Sequence, residues 1–334
     1  MAPHGLSPAL FFDTANAYQR SAALKAAVEL DLFSVMGEGR SAAEIAKSCH
    51  ASERGVRILC DYLVISGFAV KDGERYRNTP ESQMFLSKSS PAYLGGALQF
   101  LHAPGLTDGF RDVAACVRRG GTVLEGSGTV DEDDPVWVDF AQGMMPLMMM
   151  PAREIAELIP FPRDREIDIL DLAAGHGIFG IMAAKAFPRA QVTAVDWRAV
   201  LEVAKENAKK FEVIDRYRTI AGSAFDADFG TARDVVLITN FLHHFDPETC
   251  VSVLKKVRAS LKPGGVAITL EFIPNEDRVS PPSAGFSLIM LCSTPSGDAY
   301  TFSELNEMLT TVGFSRSKLL DLPGGMQRVI ISEC

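Results

Sequence analysis

The chain has 334 residues, of which 47% are hydrophobic and 22% charged, and its formal net charge is -9. This length suits about two domains, and the composition suits packed cores rather than a disordered chain. An acidic balance without a clustered basic patch argues against a phosphate-backbone partner, so no nucleic acid is expected. Met1 to Leu10 has no basic n-region and no long apolar stretch, so no secretory signal is read there. No segment approaches the roughly 20 apolar residues of a membrane span, so no membrane partner is expected. Six scattered cysteines form no CxxC pair. That argues against a zinc site or a disulfide framework and for a reduced, cytoplasmic setting.

The apolar spacing predicts a helix from Pro8 to about Val35. Its apolar surface exceeds what one small domain can cover, which predicts burial in a twofold dimer. Ser41-Ala-Ala-Glu44 reads as a capping box, and a further helix runs from Ser52 to Gly67. Phe68 to Val70 and Tyr76 to Asn78, turning at Lys71-Asp72-Gly73, read as a hairpin. Two helices followed by a hairpin form a winged-helix pattern. The helix from Ser52 offers only Arg54 and Arg57 to phosphates, so a protein–protein module is favoured over a DNA reader.

From about Ser90 to Pro160 the chain reads as interrupted helix, with loops at Gly120-Gly121 and Asp131 to Asp134. Trp137, Phe140, Met144, Met145 and Met148 recur at helical spacings and suit either core or an adaptable pocket wall. From Ile167 strands and helices alternate: strands at Ile167 to Asp171, Gln191 to Asp196, Tyr217 to Ile220, Asp234 to Thr239 and Val266 to Glu271. This alternation predicts a parallel sheet covered on both faces. A final helix and a tightly turned strand pair, Ser317 to Asp321 and Arg328 to Ile331, close the chain.

The segment Asp171-Leu-Ala-Ala-Gly175-His176-Gly177-Ile-Phe-Gly180 contains GxGxxG, by itself a weak sign of a dinucleotide site. Asp171 stands four residues before Gly175, and a pyrophosphate at a helix N-terminus disfavours a neighbouring carboxylate. A cofactor without phosphate tolerates it, and a cationic one gains from it. S-adenosylmethionine has that character. Asp196 ends the second strand, where a carboxylate can accept both ribose hydroxyls or else cap the following helix.

Asp171-x-Ala-x-Gly175-x-Gly177 resembles the first motif of class I methyltransferases. Asp196-Trp-Arg-Ala-Val200, Leu242-His243-His244-Phe245-Asp246, Lys262-Pro-Gly-Gly265 and Glu271 resemble successive blocks of the small-molecule O-methyltransferase family, which includes plant caffeate-type and bacterial antibiotic-type enzymes. The resemblance covers nearly the whole chain. It implies an α/β fold: a C-terminal Rossmann-like sheet with a terminal antiparallel hairpin, and a mainly helical N-terminal winged-helix domain that forms a homodimer. The implied domains are 1–92 for dimerisation, 93–160 for connecting helices and 161–334 for the cofactor. Asp171, Ala173, Gly175, Gly177, Asp196, Trp197, Ser223, Ala224, Phe225, Thr239 and Asn240 fall at positions implied to hold S-adenosylmethionine. Ala173, Ser223 and Thr239 depart from the family pattern, and a second orienting Glu would fall near Ala299, beside Asp298.

His243 follows the fourth strand at the carboxyl edge, where open parallel sheets place ligands. Methyl transfer to a hydroxyl needs alignment of donor and acceptor and removal of a proton. An imidazole suits that task near neutral pH. Glu271 is the expected orienting carboxylate. Asp246 is read as the cap of the helix that begins at Pro247. Phe100, Phe140, Met144, Met148, His244, Phe286 and Met290 are the expected wall for a small aromatic or polyketide-like acceptor. N- or C-methylation, non-methylating chemistry on the same frame, and a winged-helix regulator remain the alternatives.

Overall fold

The computed structural model describes residues 7–130 and 134–334. Most of the stretch from Met1 to Leu10 and residues 131–133 of the expected acidic loop lie outside them. Among the described residues no helix is long and apolar enough to cross a membrane. The chain divides into two compact units at Leu98/Gln99, so the helices between 104 and 158 are compact with the sheet.

In the first unit, the single helix expected from Pro8 to Val35 is three: Ala9–Ala15, Ala17–Glu29 and Leu32–Met36. Asp31 breaks the run by taking a left-handed conformation (φ 53), and its carboxylate accepts a hydrogen bond from the Ser34 hydroxyl at 2.7 Å. Ser41 and Glu44 form the expected capping box of helix Ala42–Ser48. Helix Glu53–Ile65 then leads into a three-stranded sheet of β1 (Arg40–Ser41), β2 (Ala69–Asp72) and β3 (Arg75–Asn78), in the order β1-β3-β2. Phe33, Ile45, Val56, Leu63 and Tyr76 fill the core of this winged helix. Arg57 is engaged by Asp61 one turn on, at 3.0 Å. No residue of helix Ala9–Ala15 is buried, and Leu10, Phe11, Phe12 and Tyr18 are 79%, 67%, 55% and 68% exposed. Among the described residues that is an apolar face without cover.

The second unit is built on a seven-stranded sheet. Its strands are β4 (Asp168–Leu172), β5 (Gln191–Asp196), β6 (Tyr217–Ala221), β7 (Arg233–Thr239), β8 (Leu261–Glu271), β9 (Arg316–Asp321) and β10 (Arg328–Glu333). They lie in the order β6-β5-β4-β7-β8-β10-β9. β4 to β8 are parallel, and β10 runs antiparallel between β8 and β9. Ile169, Val235 and Leu237 face the core beneath helices Met145–Leu158, Ile178–Ala186 and Arg198–Lys210. Leu170, Val236 and Ile238 face the core beneath helices Pro247–Ser260 and Phe302–Thr311. Burial on both faces explains the near-continuous apolar runs of the central strands.

Two details position the carboxyl edge. β8 starts at Leu261 rather than Val266, because Lys262-Pro263-Gly264-Gly265 bulges out between the pairings Arg233↔Leu261 and Val235↔Val266. β10 begins at the edge where the parallel strands end, since Arg328 pairs with Glu271.

Asp246 caps helix Pro247–Ser260 as expected, accepting from the Thr249 N–H at 2.9 Å with Pro247 as the first helical residue. Asp246→Ala should therefore cost about 1 kcal/mol, measured as a lower urea midpoint with an unchanged slope.

Candidate active site

The loop after β4 turns through three left-handed residues, Ala173 (φ 51), Gly175 (φ 55) and Gly177 (φ 73). At Gly177 a Cβ would lie 2.5 Å from the Tyr217 hydroxyl and 2.9 Å from the Ala204 Cβ, so only glycine fits. Asp171 is fully buried beneath the loop. Its Oδ2 accepts from the Gly180 N–H at 2.9 Å, and its Oδ1 has no partner. Asp171 thus supports the loop from below. The His176 Nδ1 accepts from the Ile178 N–H at 3.3 Å, and the His176 carbonyl accepts from Asn207. Two donors at the start of helix Ile178–Ala186 are thus satisfied by the chain itself, which disfavours a pyrophosphate and suits a cofactor without one.

Asp196, half-buried at the end of β5, accepts from the Gly175 N–H at 2.8 Å and from the Trp197 N–H at 2.7 Å. Its carboxylate ties the glycine loop to the second strand and keeps lone pairs for two hydroxyls. Ser223, Ala224 and Phe225 are half-buried beyond β6. The Ser223 hydroxyl accepts from the Phe225 N–H at 3.1 Å, and the Lys256 ammonium donates to the carbonyls of Ala224 (2.9 Å), Phe225 (2.5 Å) and Ala227 (3.0 Å). An ammonium so placed fixes the loop that carries Ser223.

At the end of β7, Thr239 is buried and Asn240 is left-handed (φ 55). A short helical turn, Leu242–His244, then presents two imidazoles. The His243 Nδ1 and the Glu271 Oε2 lie 2.5 Å apart, both side chains buried. The other oxygen, Oε1, accepts from the backbone N–H groups of Phe241 (2.9 Å) and Leu242 (2.8 Å). A carboxylate held by two backbone donors accepts a hydrogen bond from Nδ1–H and so fixes the tautomer, which leaves Nε2 as the nitrogen able to accept a proton.

Aromatic rings form a continuous chain around this pair. Phe286 packs on His243 at 4.8 Å and stacks on Phe272 at 3.8 Å. His244 lies 4.2 Å from His243 and 5.1 Å from Trp137. Trp137 contacts Phe140 and Phe100, and Phe140 stacks on His176. The structure thus brings Phe100, Phe140, His244 and Phe286 into one chain of ring contacts. Met144 and Met148 pack mainly into the core over helix Ile178–Ala186, and Met148 reaches the site only through its sulfur, 3.8 Å from the Asn240 Nδ2. Met290 is buried one turn beyond Phe286. Asp298 pairs with Arg278 at 3.2 Å, and the carboxylate on His243 is that of Glu271. Trp137, which suits core or pocket by its spacing, stands in this ring chain, and Phe272 and Gln327 join the same edge without a sequence signal of their own. Trp137 stands at a helical spacing from Phe140, and Phe272 follows Glu271 directly. Gln327 follows a Gly-Gly turn that returns the chain to the edge. No cluster of metal-ligating side chains occurs among the described residues.

Burial sets the electrostatics. It pushes Asp171 from 3.8 up to about 7, opposed by the Gly180 N–H and aided by the nearby Asp196. It pushes Asp196 up to about 6, opposed by the Gly175 and Trp197 N–H groups. It lowers His176 to about 3, so that ring is neutral. His244 is held well below the usual histidine range by burial and then by His243, so it too is neutral.

The sequence pattern of the O-methyltransferase domain matches residues 119–315. The chain belongs to the O-methyltransferase family. The O-methyltransferase dimerisation domain matches residues 12–88 of this methyltransferase. TcmO, the tetracenomycin polyketide synthesis 8-O-methyl transferase of Streptomyces glaucescens, is 26% identical, with 94% of each chain covered. A crystal structure from Nostoc punctiforme, assigned to the O-methyltransferases, is 50% identical with a TM-score of 0.95, covering 99% of this chain and 100% of that one. Human N-acetylserotonin methyltransferase, solved in complex with S-adenosylmethionine, shares the fold at 22% identity and a TM-score of 0.86, covering 100% of this chain and 99% of that one. The satisfied donors at the start of helix Ile178–Ala186 fit a cofactor without phosphate, such as the S-adenosylmethionine bound to that human neighbour.

Because Asp171 binds its proton more tightly folded than unfolded, its contribution to stability is full below about pH 4 and is lost as pH rises to about 7. The melting temperature of the cofactor-free enzyme should fall across that interval. Asp171→Asn, which keeps an acceptor for Gly180, should flatten the fall in calorimetric scans; an unchanged slope would assign it to other groups.

Proposed function

We propose that the enzyme transfers a methyl group to a hydroxyl of a planar aromatic or polyketide-like small molecule, with His243 as general base. The observation that carries this reading is the buried His243–Glu271 pair at 2.5 Å, whose free Nε2 lies among aromatic rings. S-adenosylmethionine, when bound, supplies an electrophilic methyl group on a sulfonium. The residues that would hold it are Asp196 for the ribose hydroxyls, the backbone of Ala173, Gly175 and Gly177, Trp197 and Ser223 to Phe225 around the adenosine, and Thr239 and Asn240 at the end of β7.

The chain's own work is orientation and proton removal. Glu271 holds the imidazole, and Nε2 takes the acceptor proton as the oxygen becomes nucleophilic. Phe286, Trp137 and Phe140 offer flat faces and edges suited to a planar ring. The neutral His244 adds a polar group without a charge. TcmO is named for a polyketide and the human neighbour for N-acetylserotonin, which supports a small-molecule acceptor. The exposed apolar helix and the matched dimerisation domain support a homodimer, and we read the enzyme as cytoplasmic.

His243→Gln should leave cofactor affinity within about twofold in calorimetry, since no cofactor-holding residue is altered. Turnover with a phenolic acceptor should fall by about 10²–10⁴-fold, the usual worth of a positioned base. Glu271→Gln should lower turnover less. A His243→Gln enzyme as fast as wild type at neutral pH would refute the base assignment. In the first unit, Phe11→Glu together with Leu10→Glu should convert the dimer to monomer by sedimentation; a wild-type monomer at micromolar concentration would contradict the assembly.

A further inference from the structure

The antiparallel β10 brings to the carboxyl edge a residue that lies beyond the matched methyltransferase domain. Gln327 sits immediately before β10, is 5% exposed, and precedes Arg328, the register partner of Glu271. Its Nε2 donates to the Asn240 Oδ1. The other side of the same amide, Nδ2, donates to the Met148 sulfur at 3.8 Å. Because a thioether sulfur only accepts, the amide is oriented with Oδ1 toward Gln327. Asn240 therefore joins β10, the end of β7 and helix Met145–Leu158.

Asn240 is also where the chain turns. Its N–H donates to the Leu270 carbonyl at 2.9 Å, its φ is 55, and the next two N–H groups both reach the Glu271 Oε1. A left-handed residue other than glycine is found where its surroundings hold it, and asparagine takes this conformation with the help of hydrogen bonds from its short side chain. Gln327 is placed to supply that hold.

We infer that Gln327 is a positioning residue for the proposed base, acting through Asn240 to keep the Phe241 and Leu242 N–H groups on Glu271 and so Glu271 on His243. The inference rests on the reading of His243 as base, and it gives the terminal hairpin a task at the active edge as well as in the sheet.

The test is proton NMR of the full-length enzyme saturated with S-adenosylhomocysteine, following the far-downfield proton between His243 and Glu271, assigned by its loss in His243→Gln. Gln327→Leu and Gln327→Met should each speed its exchange with solvent by about tenfold, the effect of one lost hydrogen bond on local opening. Backbone amides of β4 and β7 should keep their exchange rates. Unchanged exchange at His243 in both variants overturns the inference. So does a uniform acceleration of all amides, which would mark Gln327 as a general stabiliser. An active His243→Gln enzyme would instead remove the base reading, an outcome scored separately by turnover.

Discussion

The site depends on one carboxylate. Glu271 spends one oxygen on two backbone N–H groups and the other on an imidazole 2.5 Å away. The backbone donors lock the turn after β7 to the end of β8, two adjacent parallel strands whose pairing is set by the sheet. The imidazole inherits that rigidity and cannot rotate without leaving a buried carboxylate short of a donor, a costly state. The aromatic residues around the pair pack against the imidazole rather than hold it by hydrogen bonds.

The cofactor loop is built on a parallel principle, with the carboxylates turned inward. Asp171 takes up a donor at the start of the following helix, and Asp196 tethers Gly175. Both carboxylates are raised by burial, and their proximity raises Asp171 further. This design gives up the anion-binding capacity usual at a helix N-terminus. It is compatible with a cofactor that carries positive charge and no phosphate.

Much of this was legible in residue order. Gly175 and Gly177 reveal their loop because few other residues tolerate its conformation, and Asp246-Pro247 reveals its helix start through cap chemistry. His243 follows β7 closely and Glu271 ends the neighbouring β8, so their meeting follows from strand order. Other features need three dimensions. The direction of the Asp171 side chain is one, because a strand buried on both faces gives no alternation to show which way its last side chain points. The break at Asp31 is local backbone geometry inside an otherwise helical apolar pattern. Met144 and Met148 share a spacing with Phe140, and spacing alone does not separate core from pocket. Gln327 lies 87 positions from Asn240, and only the antiparallel return of β10 brings them together.

The central claim is that the His243–Glu271 pair faces the methyl donor across the acceptor. A crystal structure of the enzyme with S-adenosylhomocysteine tests it most directly. The account predicts both ribose hydroxyls on Asp196 and the sulfur directed toward the His243 Nε2, with room for an acceptor oxygen between them. A sulfur directed away from His243, or a ribose bound without Asp196, would contradict it.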